Sequence, residues 1–230
     1  MSTIRLLALS DLHIRKNFPL DQIKKIITQE EITLIIISGD LTIKGNVEKI
    51  KSILQEFDQF NLPVFYVPGN MDSEKSTDIR FSNIHPLHGR NKNYSGFNFI
   101  GLGGSNQTPF FTPYEMSENE IENIIKKTKA AINNDDPIIF ISHPPPKDSA
   151  ADRVFSGKHV GSSIVRNFVD KFQPVLILCG HIHESKSISQ IGNTICINPG
   201  AAMHGNAAIV KVEKNDDNKT KIDSKLITFS

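Results

Sequence analysis

Seven residues of the metal-binding kind are distributed over five short segments of this chain. Two are aspartates, one is an asparagine and four are histidines. Imidazole combined with carboxylate suits divalent ions such as Mn, Fe, Co, Ni or Zn, whereas cages built of oxygen alone suit Mg or Ca. The residues are Asp11, His13, Asp40, Asn70, His143, His181 and His183.

Seven ligands are too many for one such ion but fit two ions that share a carboxylate. Two ions roughly 3.5–4 Å apart can lower the pKa of a bridging water and brace the attacking and leaving oxygens of phosphoryl transfer. The set therefore predicts a dinuclear centre that hydrolyses phosphate esters.

Each segment by itself is an ordinary pattern, because Asp-x-His pairs are common on surfaces and Gly-Asp and Gly-Asn are frequent turn dipeptides. The combination is more specific, since every segment directly follows an apolar run. Ligands of α/β sheets bind beyond the carboxyl ends of the strands, so the five loops are expected to converge. A glycine precedes Asp40, Asn70 and His181 and lets the backbone turn sharply there.

The elements that would position these loops alternate along the chain. Short β-branched runs predict strands, and apolar residues at helical spacing predict the helices between them. Ser117 and Glu120 form a capping box at the start of one helix. Strands are predicted at 4–9, 34–37, 64–67, 97–102, 138–141 and 175–179, and helices at 20–27, 47–57, 117–132 and 162–172. Four further strands, expected to pair antiparallel, are predicted at 185–191, 194–197, 207–213 and 221–229.

The five segments, in this order, resemble those of the calcineurin-like metallophosphoesterases. The resemblance covers about residues 5–205 and includes Asn198-Pro199-Gly200, and the stretches 142–146, 158–162 and 180–185 are similar to the Icc-related prokaryotic branch. It implies an α/β fold, a four-layer αββα sandwich with two mixed β-sheets. The length of 230 residues favours a single domain over 1–230.

The resemblance also implies a division of the ligands between two ions. Asp11, His13, Asp40 and His183 would hold the first ion. Asp40 would bridge, and Asn70, His143 and His181 would complete the second site.

The third segment departs from the family pattern at one position. The family commonly carries a histidine after the asparagine, where it helps to protonate the leaving group, and this chain has Met71. Asp72, the catalytic residue that would orient such a histidine, is retained, so Met71→His is expected to restore a donor. A general acid contributes roughly 10²–10⁴-fold, and its loss favours phosphodiesters over phosphomonoesters.

His159 is a second candidate catalytic residue. It lies in a glycine-flanked loop before a predicted helix, and it could contact the substrate phosphate together with the N-terminus of that helix. A role within the loop alone is the alternative. Residues 108–114 form an aromatic, proline-containing loop with three interpretations: it covers the site, it forms a homodimer contact, or it buries its phenylalanines in the core.

Composition limits the partners. The formal net charge is +1 without a basic stripe, which argues against nucleic acid, and a small-molecule phosphoester is the expected substrate. No apolar run approaches the roughly 18 residues of a membrane span. With no evident signal peptide, and with Cys179 and Cys196 in apolar runs, a cytoplasmic protein with reduced thiols is expected.

The leading functional hypothesis is a manganese-type dinuclear phosphodiesterase. Two alternatives stay open: a phosphomonoesterase acting on nucleotides or phosphoproteins, and a scaffold that keeps the fold and the metals without catalysis, as the related retromer subunit does. A nuclease of the recombination-repair type is disfavoured because no basic face or coiled-coil insertion is visible.

Overall fold

Two mixed β-sheets of six strands each form the centre of the computed structural model, which describes residues 2–14, 18–132 and 134–229. The strands in these residues are β1 (Ser2–Leu9), β2 (Leu34–Ser38), β3 (Val64–Val67), β4 (Ile84–Pro86), β5 (Asn91–Tyr94), β6 (Phe97–Leu102), β7 (Ser105–Asn106), β8 (Glu115–Met116), β9 (Ile138–Ser142), β10 (Leu176–Leu178), β11 (Ser187–Ile191), β12 (Thr194–Asn198), β13 (Asn206–Lys214) and β14 (Thr220–Thr228).

Each sheet combines four parallel strands with two that pair antiparallel, which lie side by side at one edge of the first sheet and at opposite edges of the second. The first has the spatial order β14-β13-β1-β2-β3-β4, and β1 to β4 are parallel. The second has the order β11-β12-β10-β9-β6-β5, with β6, β9, β10 and β12 parallel. Strands β7 and β8 form a separate short pair. The predicted pair of mixed sheets is confirmed.

The helices within the described ranges are α1 (Leu20–Gln29), α2 (Val47–Asp58), α3 (Glu118–Ala130) and α4 (Ser163–Phe172), with short 3-10 turns at Glu74–Asp78, His183–Ser185 and Ala202–His204. Both members of the predicted capping box at Ser117 form their hydrogen bonds. None of the helices in these ranges is long and apolar enough to cross a membrane.

Three apolar clusters separate the layers. Successive side chains of a strand point to opposite faces of its sheet, so Leu6 lies between the two sheets, where it packs with Phe99, while Leu7 faces α1 and α2. The outer face of the second sheet packs α3 and α4 around Phe140. One cluster lies between α1, α2 and the first sheet, one between the two sheets, and one between the second sheet and α3, α4. The layers therefore have the expected αββα order. Cys179 and Cys196 are both buried and free.

The last four strands differ in detail from the sequence prediction. Residues His183–Ser185 form a 3-10 turn, so the predicted strand at 185–191 begins at Ser187. The strands form two antiparallel hairpins that belong to different sheets, β11-β12 in the second and β13-β14 in the first. The polar strand Asn91–Tyr94 was not predicted, because its half-exposed residues do not form an apolar run.

The parallel strands bring the predicted loops together. The Asp11 N–H donates to Gly39 O across the ends of β1 and β2 at 3.0 Å, and the Gly180 N–H donates to His143 O across the ends of β10 and β9 at 3.1 Å. Between the sheets, Nδ1 of His143 lies 2.7 Å from the carbonyl oxygen of Ser38 at the end of β2. The carboxyl edges of both sheets therefore form one surface, on which the candidate ligands lie.

Candidate metal centre

One group of candidate ligands follows β1 and β10. Nε2 of His183 lies 3.3 Å from Oδ1 of Asp11 and 3.3 Å from Nε2 of His13. Nε2 of His13 lies 3.6 Å from Oδ2 of Asp40. Asp11, His13 and His183 place one ligand atom each within 4.8 Å of one another.

A second group follows β2, β3 and β9. Nε2 of His143 lies 3.6 Å from Oδ1 of Asp40 and 2.8 Å from Oδ1 of Asn70. Asp11, Asp40 and His143 also place ligand atoms within 4.8 Å of one another. Asp11 thus belongs to both groups, while Asp40 contacts His13 with one oxygen and His143 with the other.

His181 is brought to the same place in a different way. Its ring centroid lies 5.1 Å from that of His143, and its backbone N–H donates to the Asp11 carboxylate at 3.1–3.2 Å. The sequence-predicted ligands therefore converge, whereas the assignment of Asp40 as the bridge and of His181 as a ligand stays a prediction.

The backbone of four candidate ligands lies in the left-handed region. Asp11, His13, Asp40 and His181 have φ angles of 54°, 42°, 54° and 70°. Such angles are uncommon for residues with a Cβ and concentrate at functional sites, where the surrounding structure enforces them. The strain points to a site that positions these side chains.

Two glycines permit the close approach of the carboxylates. A Cβ at Gly69 would collide with the carboxylate of Asp40, and a Cβ at Gly180 would collide with Ser10 and Asp11. The glycines predicted to allow sharp turns are therefore also required by packing against the ligands themselves.

The protonation state of His143 is set by its hydrogen bond. Nδ1 lies 2.7 Å from the Ser38 carbonyl oxygen, which can only accept, so Nδ1 carries the proton. Complete burial lowers the pKa of His143, so the ring is neutral and Nε2 presents a lone pair. That lone pair faces Oδ1 of Asn70, an amide oxygen that can only accept, and lies 3.6 Å from Oδ1 of Asp40.

A buried imidazole lone pair that faces oxygen atoms, with its ring proton held on the far side, is what a cation would satisfy. Ligands with bonds of about 2.1 Å to one ion lie roughly 3 Å apart, which is close to the separation of His143 Nε2 and Asn70 Oδ1. A proton held on the second ring nitrogen by a carbonyl is also the usual arrangement of a metal-ligating histidine. The residues present therefore fit a divalent metal ion.

The buried carboxylates point the same way. Burial, with the nearby carboxylates of Asp11 and Asp72, raises the pKa of Asp40 well above its usual range. Burial would also raise the pKa of Asp11, but the hydrogen bond from His183 and the proximity of His143 hold it below the usual range. A divalent cation would stabilise both as carboxylates, because its charge dominates the local field.

The match to known sequences settles the family. Residues 4–185, well over half of the chain, match the family described as "Calcineurin-like phosphoesterase". The chain belongs to this family. The family resemblance of the five segments is confirmed, and membership of a phosphoesterase family supports a hydrolase.

Individual relatives agree with this assignment. The uncharacterized protein MJ1162 of Methanocaldococcus jannaschii is 37% identical over 170 residues, which are 72% of this chain and 76% of that protein. A "Probable cyclic nucleotide phosphodiesterase" of Vesicomyosocius okutanii is 26% identical over 213 residues, 87% of this chain and 88% of that one. The crystal structure of TT1561 of Thermus thermophilus shares the fold, with a TM-score of 0.67, 17% identity and coverage of 96% of this chain and 99% of that one.

Asp72 of this phosphoesterase holds the loops rather than facing the cluster. Its wholly buried carboxylate accepts hydrogen bonds from the backbone N–H groups of Leu41, Thr42 and Gly69 and from the Thr42 hydroxyl, all within 2.9–3.0 Å. Four donors occupy its oxygens. Asp72 was expected to orient a side chain at position 71, but its oxygens already accept from these four donors. The geometry therefore does not favour that role.

His159 is held by a second buried carboxylate. Its Nδ1 lies 2.6 Å from Oδ1 of Asp152, a carboxylate that also accepts from the backbone N–H groups of Ser149 and Gly161 at 3.0 Å. A carboxylate can only accept, so Nδ1 donates and Nε2 is left for other partners. His159 lines the same cavity as five of the seven candidate ligands, namely His13, Asp40, Asn70, His181 and His183.

The N-terminus of α4 is already occupied. The carboxylate of Glu118 accepts from the Ser162 hydroxyl at 2.7 Å and from the backbone N–H groups of Ser163 and Ile164 at 3.1 Å. The prediction that this helix terminus contacts the substrate phosphate is wrong, because an anion from the chain itself fills the position.

The cavity above the ligands has a volume of about 1280 Å³ and an apolar rim. Phe110 and Phe155, from two different loops, line it with 80% and 93% of their surface exposed. Phe111 is 91% exposed, so the interpretation that residues 108–114 bury their phenylalanines in the core is wrong. The rim gives the phosphoesterase an apolar surface beside its polar centre.

Sequence reasoning missed the residues that support this site. Asp152, Glu118, Thr112 and Glu115 are ordinary polar residues in loops or at helix ends, and no local motif distinguishes them. The sequence contains one hint of this support: Asp152 lies seven residues before His159, in a loop that contains glycine.

Proposed function

We propose that this phosphoesterase hydrolyses phosphodiesters of small molecules at a centre of two divalent metal ions, with manganese as the first candidate. The observation that carries the proposal is the buried Nε2 of His143, which faces Oδ1 of Asn70 and Oδ1 of Asp40, while Asn70 and Asp40 themselves line a cavity with an apolar rim. The proposed ligands are Asp11, His13, Asp40, Asn70, His143, His181 and His183. Both sheets contribute ligands, which supports one domain over 1–230.

The chemistry that such ions supply is polarisation of a phosphoryl oxygen and a lowered pKa of bound water. The protein orients the ligands for it. Ser38 fixes the ring of His143 through Nδ1. The backbone N–H of Met71 holds the Asp40 carboxylate at 2.8 Å, while Asp72 joins the loops after β2 and β3.

The leaving group needs a proton when it departs as an alkoxide, and Met71 cannot supply one. In the proposal His159 acts as the imidazolium, with a proton on each ring nitrogen. Nδ1 donates to Asp152, which holds the ring, and Nε2 gives its proton to the departing ester oxygen, leaving a neutral imidazole. A ring that is hydrogen-bonded from behind keeps its orientation, which is the usual requirement for an acid–base histidine.

Preference for diesters is supported by the surroundings of the cluster. A diester carries a second organic substituent, and the cavity offers it Phe110, Phe155 and Val160. Met71, which also lines the cavity, adds an apolar contact where the wider family commonly has a histidine. The name of the Vesicomyosocius relative points to cyclic nucleotides as a first substrate class to assay.

A substrate panel tests the proposal. Metal-free protein is reconstituted with Mn, Co, Ni, Zn or Mg and assayed on bis(p-nitrophenyl) phosphate, p-nitrophenyl phosphate and a 3′,5′-cyclic nucleotide. Faster turnover of the nitrophenyl diester than of the monoester is expected. Faster monoester turnover would instead support a phosphomonoesterase, and stoichiometric metal without turnover of any phosphoester would support a scaffold.

His159→Asn tests the proton donor. Turnover of the cyclic nucleotide, whose leaving group is an alkoxide, is expected to fall by up to roughly 10²–10⁴-fold, with a far smaller effect on the nitrophenyl diester. His85→Asn is the matched control, because His85 lies on β4 and packs against Phe65. Equal losses on both substrates would remove His159 from the role of proton donor.

A further inference from the structure

A chain of hydrogen bonds links the aromatic loop to the candidate ligand Asn70. The Glu115 carboxylate accepts from the backbone N–H groups of Thr108 and Thr112, at 3.1 and 2.8 Å, and from both of their hydroxyls at 2.6 Å. The Thr112 hydroxyl oxygen lies 3.0 Å from Nδ2 of Asn70. The Thr112 hydroxyl is thus hydrogen-bonded to both Glu115 and Asn70 and connects the two side chains.

The direction of this chain follows from the hydrogen-bonding capacity of its members. Burial alone would raise the pKa of Glu115, but the hydrogen bonds from Thr108 and Thr112 lower it to about 2, so the carboxylate is ionised and can only accept. Thr112 has one hydroxyl proton, and it donates this proton in its hydrogen bond to Glu115. The hydroxyl oxygen must therefore accept, and it accepts from the amide nitrogen of Asn70.

The orientation of the Asn70 amide is then decided. With Nδ2 on Thr112, Oδ1 is the atom turned towards Nε2 of His143, 2.8 Å away. The backbone is held from the same loop, because the Tyr114 N–H donates to the Asn70 carbonyl oxygen at 3.0 Å. Without the chain, the amide could turn by 180° and donate from Nδ2 to His143, a hydrogen bond that would compete with a metal ion.

We propose that Thr112 and Glu115 are positioning residues that hold the oxygen of Asn70 towards the metal site and thereby raise its affinity for the ion bound by Asn70 and His143. The inference rests on the proposed metal ligands. It assigns to the loop that carries Phe110 and Phe111 a role in metal binding as well as in lining the cavity.

The test is a calorimetric titration of the metal-free chain of 230 residues with Mn²⁺, in the absence of substrate. Thr112→Val keeps the shape and removes the hydroxyl, and it is expected to weaken one of the two binding steps by roughly 10–100-fold, the usual cost of losing a partner of a metal ligand. Thr112→Ser keeps a hydroxyl and is expected to retain wild-type affinity.

A variant of Glu115 tests whether the direction of the hydrogen bonds matters, and a variant far from the site serves as its control. In Glu115→Gln the new amide can donate to Thr112 and reverse the chain, so the same step is expected to weaken. Thr28→Val, which removes a hydroxyl from an exposed position on α1, serves as the control and is expected to bind like wild type. Melting curves of the metal-free variants check that each is folded.

The outcomes distinguish this inference from the function on which it rests. Two binding steps of unchanged affinity in folded Thr112→Val, or equal weakening in Thr112→Ser, would overturn the positioning role and leave the proposed function intact. A wild-type chain that binds no ion would overturn both.

Discussion

Nε2 of His143 lies 2.8 Å from Oδ1 of Asn70, and both atoms are acceptors. Ser38 holds the only N–H proton of the neutral imidazole on the far side of the ring, and Thr112 holds the amide nitrogen of Asn70 on the far side of the side chain. Two lone pairs facing each other in a buried site destabilise the metal-free protein, because a buried polar group without a partner costs about 1–3 kcal/mol. An ion between them would reverse the sign of the interaction.

Asp40→Asn is expected to change the stability of the metal-free and metal-loaded protein in opposite directions. In the absence of metal, loss of a carboxylate whose pKa is raised by burial and by Asp11 and Asp72 removes a repulsion, so the variant should melt at or above wild type. With excess Mn²⁺ the wild type gains stability by linkage, and the variant should gain much less.

Thermal melts in chelator and in Mn²⁺ measure both effects. Asp170→Asn, at an exposed ion pair on α4, is the control and should respond to metal like wild type. Identical metal-induced shifts in Asp40→Asn and wild type would contradict a metal site at Asp40.

Met71→His is expected to leave the ratio of alkyl to nitrophenyl monoester turnover unchanged. The sequence favoured a gain, because Asp72 would orient the new histidine. In the structure the Asp72 carboxylate already accepts four hydrogen bonds from the loops after β2 and β3, so an imidazole at position 71 would lack that support. Steady-state kinetics at equal metal content measure the ratio, and a selective rise for the alkyl ester would show that a donor at 71 needs no help from Asp72.

Phe155→Ala is expected to raise KM for bis(p-nitrophenyl) phosphate several-fold with little change in kcat, because it removes an apolar contact to the non-reacting substituent. Hydrolysis of methyl p-nitrophenyl phosphate, whose second substituent is small, should be nearly unaffected. Sedimentation of the wild type and of Phe111→Ala tests the homodimer interpretation of residues 108–114, because Phe111 is 91% exposed. A wild-type dimer that dissociates in Phe111→Ala would assign that loop to a homodimer contact.

His88→Gln is expected to reduce the loss of stability in mild acid. Burial lowers the pKa of His88 from 6.5 to about 4, and its Nδ1 accepts from the Gly103 N–H at 2.8 Å, so the folded protein holds it neutral. The unfolded chain binds the proton more readily, so this contribution is complete above about pH 6.5 and is lost as the pH falls towards 4.

The size of the effect follows from the shift, at about 1.4 kcal/mol per pH unit, or on the order of 3 kcal/mol in all. Urea unfolding of wild type and His88→Gln in chelator, between pH 7 and 4, gives the difference directly, since the other titrating groups are common to both. A difference in unfolding free energy that is independent of pH would contradict a buried, neutral His88.

The family, the αββα layers and the set of polar residues that converge could all be predicted from the amino-acid sequence alone. Each of these depends on patterns that extend over only a few consecutive residues. A run of β-branched residues predicts a strand, and the few residues after it form the loop at the carboxyl edge of the sheet. Parallel pairing of the strands then brings these loops together, in whatever order the strands pair. The glycines before Asp40, Asn70 and His181 belong to the same local pattern.

How these residues are held became visible only in the folded chain. His143 receives its tautomer from Ser38, 105 residues away in the chain, and Asn70 receives its amide orientation from Thr112, 42 residues away. Glu118 occupies the helix terminus that the sequence offered to a phosphate, and the last strands divide between two sheets. Hydrogen bonds of this kind depend on the packing of distant segments and leave no periodicity or spacing in the sequence, because any polar residue that reaches the right atom can form them.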